Sequence, residues 1–174
     1  MRPRLEQGFR RLEDARSRAL ALLEGHGPDA LNRPPGAGRW SALQVLHHVV
    51  EAEAGTLGYV RKKMQAGSAL PRSGVASGIR RAAMQLALGL PLRFRAPAVA
   101  AAVPDAVDPD VLRTRWAEVR RGWQELLDAF PPDLEGRLVF RHPVAGRLSL
   151  ADTLAVLQAH LDHHVPQVKR ALGR

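Results

Sequence analysis

The stretch DPDVLRTRWAEVRRGWQELLDAFPP, residues 108–132, decides the fold. Asp108 is a good N-cap, Pro109 fits the first helical position, and Pro131 and Pro132 stop the segment, so a helix is predicted between them. Inside it Leu112, Trp116, Val119, Trp123, Leu126 and Phe130 recur in steps of four, three, four, three and four. This is the period of one buried helical face. Both tryptophans are therefore expected in a core.

Three further segments carry the same period. Over residues 3–25, Leu5, Phe9, Leu12, Ala15, Ala19 and Leu22/Leu23 form a stripe that Gly25 and Gly27 terminate, and a Pro/Gly loop spans residues 32–38. The next helix starts at Ser41, with Gln44 completing a capping box and Trp40 available as a hydrophobic staple on Val45. It is expected to run to about residue 65, with Leu43, Leu46, Val50 and Leu57 inward. After an extended piece, residues 138–143, and a turn containing Gly146, Ser149 and Asp152 make another capping box. The final helix runs to about Leu172 with Leu150, Leu154, Leu157, Leu161, Val165 and Val168 as its stripe. Pro166 removes the donor that the Asp162 carbonyl would use and predicts a kink there. Four long amphipathic helices predict an all-α, antiparallel four-helix bundle. Residues 66–107 read as a long, partly helical connection or insertion. A short apolar helix over 79–90 is followed by Pro91, Pro97 and Pro104.

The 174 residues make one domain, 1–174, large enough for a sizeable core. There is no cysteine, which excludes disulfides, thiolate ligands and a cysteine nucleophile. Residues 1–7 hold no apolar signal core, and no apolar run reaches the ~18–20 residues of a membrane span, so a cytoplasmic protein without a membrane partner is expected. The formal charge of +9 invites a nucleic-acid partner. Against it, all 26 basic residues except Lys62, Lys63 and Lys169 are arginines scattered in runs no longer than two. A GC-rich genome imposes that bias on any surface. One tyrosine and four phenylalanines also offer few stacking platforms. Nucleic-acid binding is the weakest of the readings.

The chemistry lies in the histidines. His160 and His164 sit four apart on the final helix, with Cβ atoms about 5–6 Å apart on one face, and both flank its apolar stripe. An earlier helix can supply a third imidazole. Periodicity does not choose between His47 and His48, which both border the apolar face, nor does it exclude His163. Three neutral imidazoles around a divalent cation leave a coordination position open, the arrangement of reactive sites. Glu51, Glu53 and Asp162 are candidates for a general base or for orienting the ligands, although each also reads as a solvated or structural carboxylate. Gln44 and Gln167 can orient imidazoles. His142, held by Pro143, can approach from a loop and reads more plainly as a turn residue.

Three matching pieces, spread in order over most of the chain, carry a resemblance. They are Trp40-Ser41-Ala42-Leu43-Gln44-Val45-Leu46-His47-His48 with Glu53 beyond it, Arg141-His142-Pro143 with Gly146 leading into Leu148-Ser149-Leu150, and His160-Leu161-Asp162-His163-His164-Val165-Pro166-Gln167. In these the chain resembles the DinB-like superfamily of bacterial four-helix-bundle proteins, which includes bacillithiol transferases and, more distantly, mycothiol-dependent maleylpyruvate isomerases. The resemblance implies His48, His160 and His164 as the ligands, and His47 and His163 match no ligand position. It further implies one divalent ion, often nickel or zinc, at one end of the bundle, and often a homodimer. The expected function is metal-dependent hydrolysis, or transfer of a low-molecular-weight thiol, on a small-molecule substrate. The alternative is a bundle that binds a metal or ligand without catalysis.

Overall fold

The computed structural model describes residues 2–74, 103–143 and 145–174. Its elements are α1 (Pro3–Ala21), α2 (Pro28–Asn32), α3 (Ala42–Met64), α4 (Pro109–Asp128), β1 (Leu138–His142), β2 (Gly146–Ser149) and α5 (Leu150–Ala171). Single 3-10 turns occupy Gly67–Ala69 and Pro132–Leu134. The caps that sequence requires are made. The Ser41 hydroxyl accepts from the Gln44 N–H while the Gln44 side chain accepts from the Ser41 N–H. Asp108 accepts from the N–H groups of Asp110 and Val111, and Ser149 from that of Asp152. Each satisfies donors that a helix start leaves without intrahelical partners.

The four long helices close a ring, α1 against α5, α5 against α3, α3 against α4, and α4 back onto α1. The all-α bundle is thus observed, with the two-stranded sheet as a minor addition. The stripes face inward as their period demands. Leu12, Leu43, Leu46, Trp116, Trp123, Leu154 and Leu161 are wholly buried in one core. Gly122 permits the close approach of α4 to α3, since a Cβ there would stand 2.8 Å from Leu57 Cδ2.

The antiparallel hairpin pairs Leu138 with Ser149, Phe140 with Leu148, Arg141 with Arg147 and His142 with Gly146, with an irregularity beside Val139. Gly146, at φ 70°, supplies the left-handed backbone of the turn. Residues 71–73 run beside β1, where the Leu138 N–H donates to the Pro71 carbonyl at 2.8 Å. On the far side of the connection, Gln44 Nε2 donates to the Pro104 carbonyl at 2.8 Å, and Asn32 exchanges two hydrogen bonds with the Val107 backbone. The helix expected over 79–90 lies outside the described residues. Among the described residues, no helix is long and apolar enough to cross a membrane.

Candidate metal centre

The first half of α3 meets the second half of α5, and there the structure brings His48, His160 and His164 together. Each offers a ring nitrogen, and the three nitrogens all lie within 4.8 Å of one another. The ring centroids are 5.3 Å apart for His48 and His160, 5.0 Å for His48 and His164, and 4.6 Å for His160 and His164. The rings stand edge to face, so their nitrogens rather than their faces converge. Trp40, just before the α3 cap, lies 5.3 Å from His48 and forms a wall of the site.

The donor set fits a divalent ion. Nε2 of His160 and Nε2 of His164 are 3.1 Å apart. Two imidazole nitrogens, each about 2.0–2.1 Å from a tetrahedral ion, stand about 3.3 Å apart. Gln167 Oε1 lies 3.2 Å from His164 Nδ1. An amide oxygen can only accept, so the proton sits on Nδ1 and Nε2 presents its lone pair to the common point. The electrostatics favour the same state. Burial, reinforced by the neighbouring His48, lowers the His164 pKa from its usual value to about 4. Burial and the His164 and His48 rings hold His160 well below the ordinary range. Both imidazoles are neutral at pH 7, as ligands must be.

The acidic candidates make other contacts. None of Glu51, Glu53 and Asp162 joins the imidazole group. Glu51 accepts from Arg115 Nε at 3.1 Å, and Asp162 from Gln158 Nε2 at 3.5 Å. Glu53 is wholly buried in an ion network. Arg120 Nε and Nη2 each bind one of its oxygens at 2.9 Å, and the Trp116 indole N–H donates to it at 3.1 Å. Arg120 also reaches Glu13 at 3.0 Å, and Arg16 reaches the other Glu13 oxygen at 2.8 Å. Burial pushes the Glu53 carboxyl up from its ordinary value while the guanidinium and the indole pull against that shift. Gln44 is taken by its cap and by Pro104, and Gln167 is the amide that touches a site imidazole.

Sequence reasoning missed this ion network. The signal was Arg120, a charge in the buried phase of α4 between Trp116 and Trp123, together with Glu53 in the buried phase of α3. Two charges on facing apolar stripes imply each other, because neither is tolerated alone. His142 is a turn residue, as its plainer reading held. Its Nδ1 accepts from the Ala145 N–H at 3.0 Å.

Fold and site together define a class, the four-helix bundle that gathers three histidines from two helices into a metal-competent tripod. Within that class, the chain belongs to the DinB superfamily, whose sequence profile matches residues 11–168. The fold is shared by YfiT from Bacillus subtilis, described as a probable metal-dependent hydrolase with an unusual four-helix bundle topology. The two chains are 19% identical, the match covers 97% of this chain and 87% of that one, and the TM-score is 0.60. No curated protein matches this chain.

Proposed function

We propose that this protein is a metal-dependent hydrolase of small molecules, in which His48, His160 and His164 hold one divalent cation, nickel or zinc. One observation carries the reading. Three imidazoles are gathered from two helices with their nitrogens within 4.8 Å of one another, and among the described residues no carboxylate joins the set. A ligand set of three side chains leaves a fourth direction for water or substrate. A divalent ion bound there supplies Lewis acidity, which lowers the pKa of water or a thiol and polarises a carbonyl. The chain's own residues do the rest. Gln167 fixes the His164 ring so that Nε2 faces inward, burial keeps the His160 and His164 rings neutral, and Trp40 stands beside His48. Because the chain has no cysteine, sulfur transfer by the same tripod requires a low-molecular-weight thiol as cosubstrate.

The test is a panel of small esters, amides and lactones, run with and without added thiols. Turnover is expected to vanish on chelation, return with nickel or zinc, and be absent in His160→Ala. A metal-loaded protein inert toward the whole panel, with and without thiols, would leave a binding bundle and overturn the enzymatic reading. The homodimer implied by the family likeness is tested separately by mass in light scattering.

A further inference from the structure

The positive charge of this chain is unevenly placed, and we propose that the β1–β2 hairpin is a docking face for the phosphate backbone of nucleic acid, centred on Arg141 and Arg147. Residues 54–104 and 136–151 together hold eleven of the 26 basic residues and none of the 17 acidic ones. The rest of the chain, with 15 basic and 17 acidic residues, is close to neutral. A GC-rich genome raises arginine everywhere, but it does not clear carboxylates from two stretches alone.

The fold turns part of that charge into a surface. Arg141 and Arg147 are direct partners across the antiparallel ladder, which sets their Cβ atoms about 4.5–5.5 Å apart. Their neighbours Phe140 and Leu148 pack with Ala145 and Val156. Side chains alternate along a strand, so the two guanidinium groups stand on the outer face, and both residues are exposed. Like charges placed in this way repel and weaken the pairing. Among the described residues neither one meets a carboxylate. An external anion relieves the repulsion that the protein's own acids leave in place.

Further cations border the same strand. Arg72, exposed, is set beside β1 by its pairing with Arg137, whose own guanidinium is spent on the Leu70 carbonyl at 2.9 Å. Lys63, exposed at the end of α3, lies 6.0 Å from the Tyr59 ring, which stands 5.3 Å from Phe140 of β1. Exposed charges from three segments thus gather at one strand, although they are far apart in sequence. A chain of phosphates suits them. Arginine binds phosphate oxygens through a planar fork, and several such contacts release counterions and give affinity without reading bases. A lipid surface fits less well, because it is gripped by apolar side chains as well as by charge. Among the described residues the exposed large apolar side chain is Val111, on α4.

The experiment follows the anisotropy of a labelled DNA duplex of mixed sequence, about twenty base pairs long, as the full chain is added at about 50 mM and about 200 mM salt. Wild type is compared with a double variant, Arg141→Gln with Arg147→Gln. The control is Arg113→Gln with Arg121→Gln, which removes the same charge from exposed positions on α4. The hairpin variant is expected to bind about tenfold more weakly at the lower salt. The slope of log affinity against log salt should fall by about two. The α4 variant should bind as wild type does. The hairpin variant should melt no lower than wild type, since a repulsive pair has been removed, so its lost binding is not lost fold. Equal weakening in both variants would mean that net charge alone attracts DNA, and would overturn the proposal. So would wild-type binding to vesicles containing phosphatidylserine without binding to the duplex, which would make the face a lipid contact.

Discussion

Two polar clusters are enclosed in the same bundle, and they are built on opposite principles. Around Glu53, all four carboxylate oxygens of Glu13 and Glu53 meet a guanidinium or indole donor. In the histidine cluster the Nε2 atoms of His160 and His164 crowd to 3.1 Å, and the electrostatics drive protons away from both rings rather than pairing them. Glu53 and Arg120 are 0% and 3% exposed and His164 is 8% exposed, so burial alone does not separate the clusters. Satisfaction does. Every carboxylate oxygen of the first cluster is met within the protein, which is the mark of a fold determinant. The second gathers three ring nitrogens that could hold one cation, which is the mark of a candidate site.

The sharpest way to break the contrast is to leave one charge of the first cluster alone. Glu53→Ala strands Arg120 in the core and is expected to cost about 3–5 kcal/mol in denaturant unfolding. The fraction that remains folded should still take up one equivalent of metal. Loss of metal binding in the folded fraction would show that Glu53 serves the site after all.

The two core tryptophans sharpen it further. Both are wholly buried, but the Trp116 N–H is spent on Glu53 while the Trp123 Nε1 finds no partner among the described residues. Trp116→Phe is expected to destabilise more than Trp123→Phe by about 1.5–3 kcal/mol, the worth of a hydrogen bond to a charged group. Equal costs would mean that the indole bond adds nothing beyond packing.

On the histidine side, Gln167→Ala frees the His164 ring. Zinc affinity should fall about 10–100-fold, while the melting temperature of the metal-free protein stays near wild type. A large drop in metal-free stability instead would make Gln167 a structural residue.

Mild acid is the gentlest perturbation. His160 and His164 have folded-state pKa values below the unfolded value of about 6.5, so the unfolded chain binds more protons as the pH drops. The metal-free protein is therefore expected to lose stability progressively from about pH 6.5 toward about pH 4. Replacing both histidines with Gln should flatten that slope, and an unchanged slope would place the acid sensitivity elsewhere.

The same contrast explains what was legible in the sequence. The bundle was open to reading because its stripes repeat locally. Leu112 through Phe130 declare one face, and Ser41, Asp108 and Ser149 declare helix starts from side chains within three residues. His160 and His164 were legible for the same reason, being one turn apart. His48 was not separable from His47 by period, since both border the apolar face. Resemblance pointed to it, and the fold places it with the pair. The ion network was missed because Glu13, Glu53 and Arg120 lie on three different helices, so the buried phase of Arg120 and Glu53 signals a need for partners without naming which helices pack together. The short helix α2 was not anticipated, and only its last residue, Asn32, fell in the expected loop over residues 32–38. Five residues carry too little period to register, and tertiary bonds from Asn32 to the Val107 backbone help hold it.

The central claim is that imidazoles from two helices serve one ion, and His48 is the side chain on which it turns. Calorimetric titration of metal-free protein with zinc tests it directly, comparing wild type with His48→Ala. The account predicts one tight site per chain in wild type. In the variant, binding should be weakened by orders of magnitude, because only the pair on α5 remains. The metal should also raise the melting temperature of wild type alone, with about 2.7 kcal/mol gained at a free concentration one hundred times Kd. Binding of equal stoichiometry and affinity in His48→Ala would contradict it.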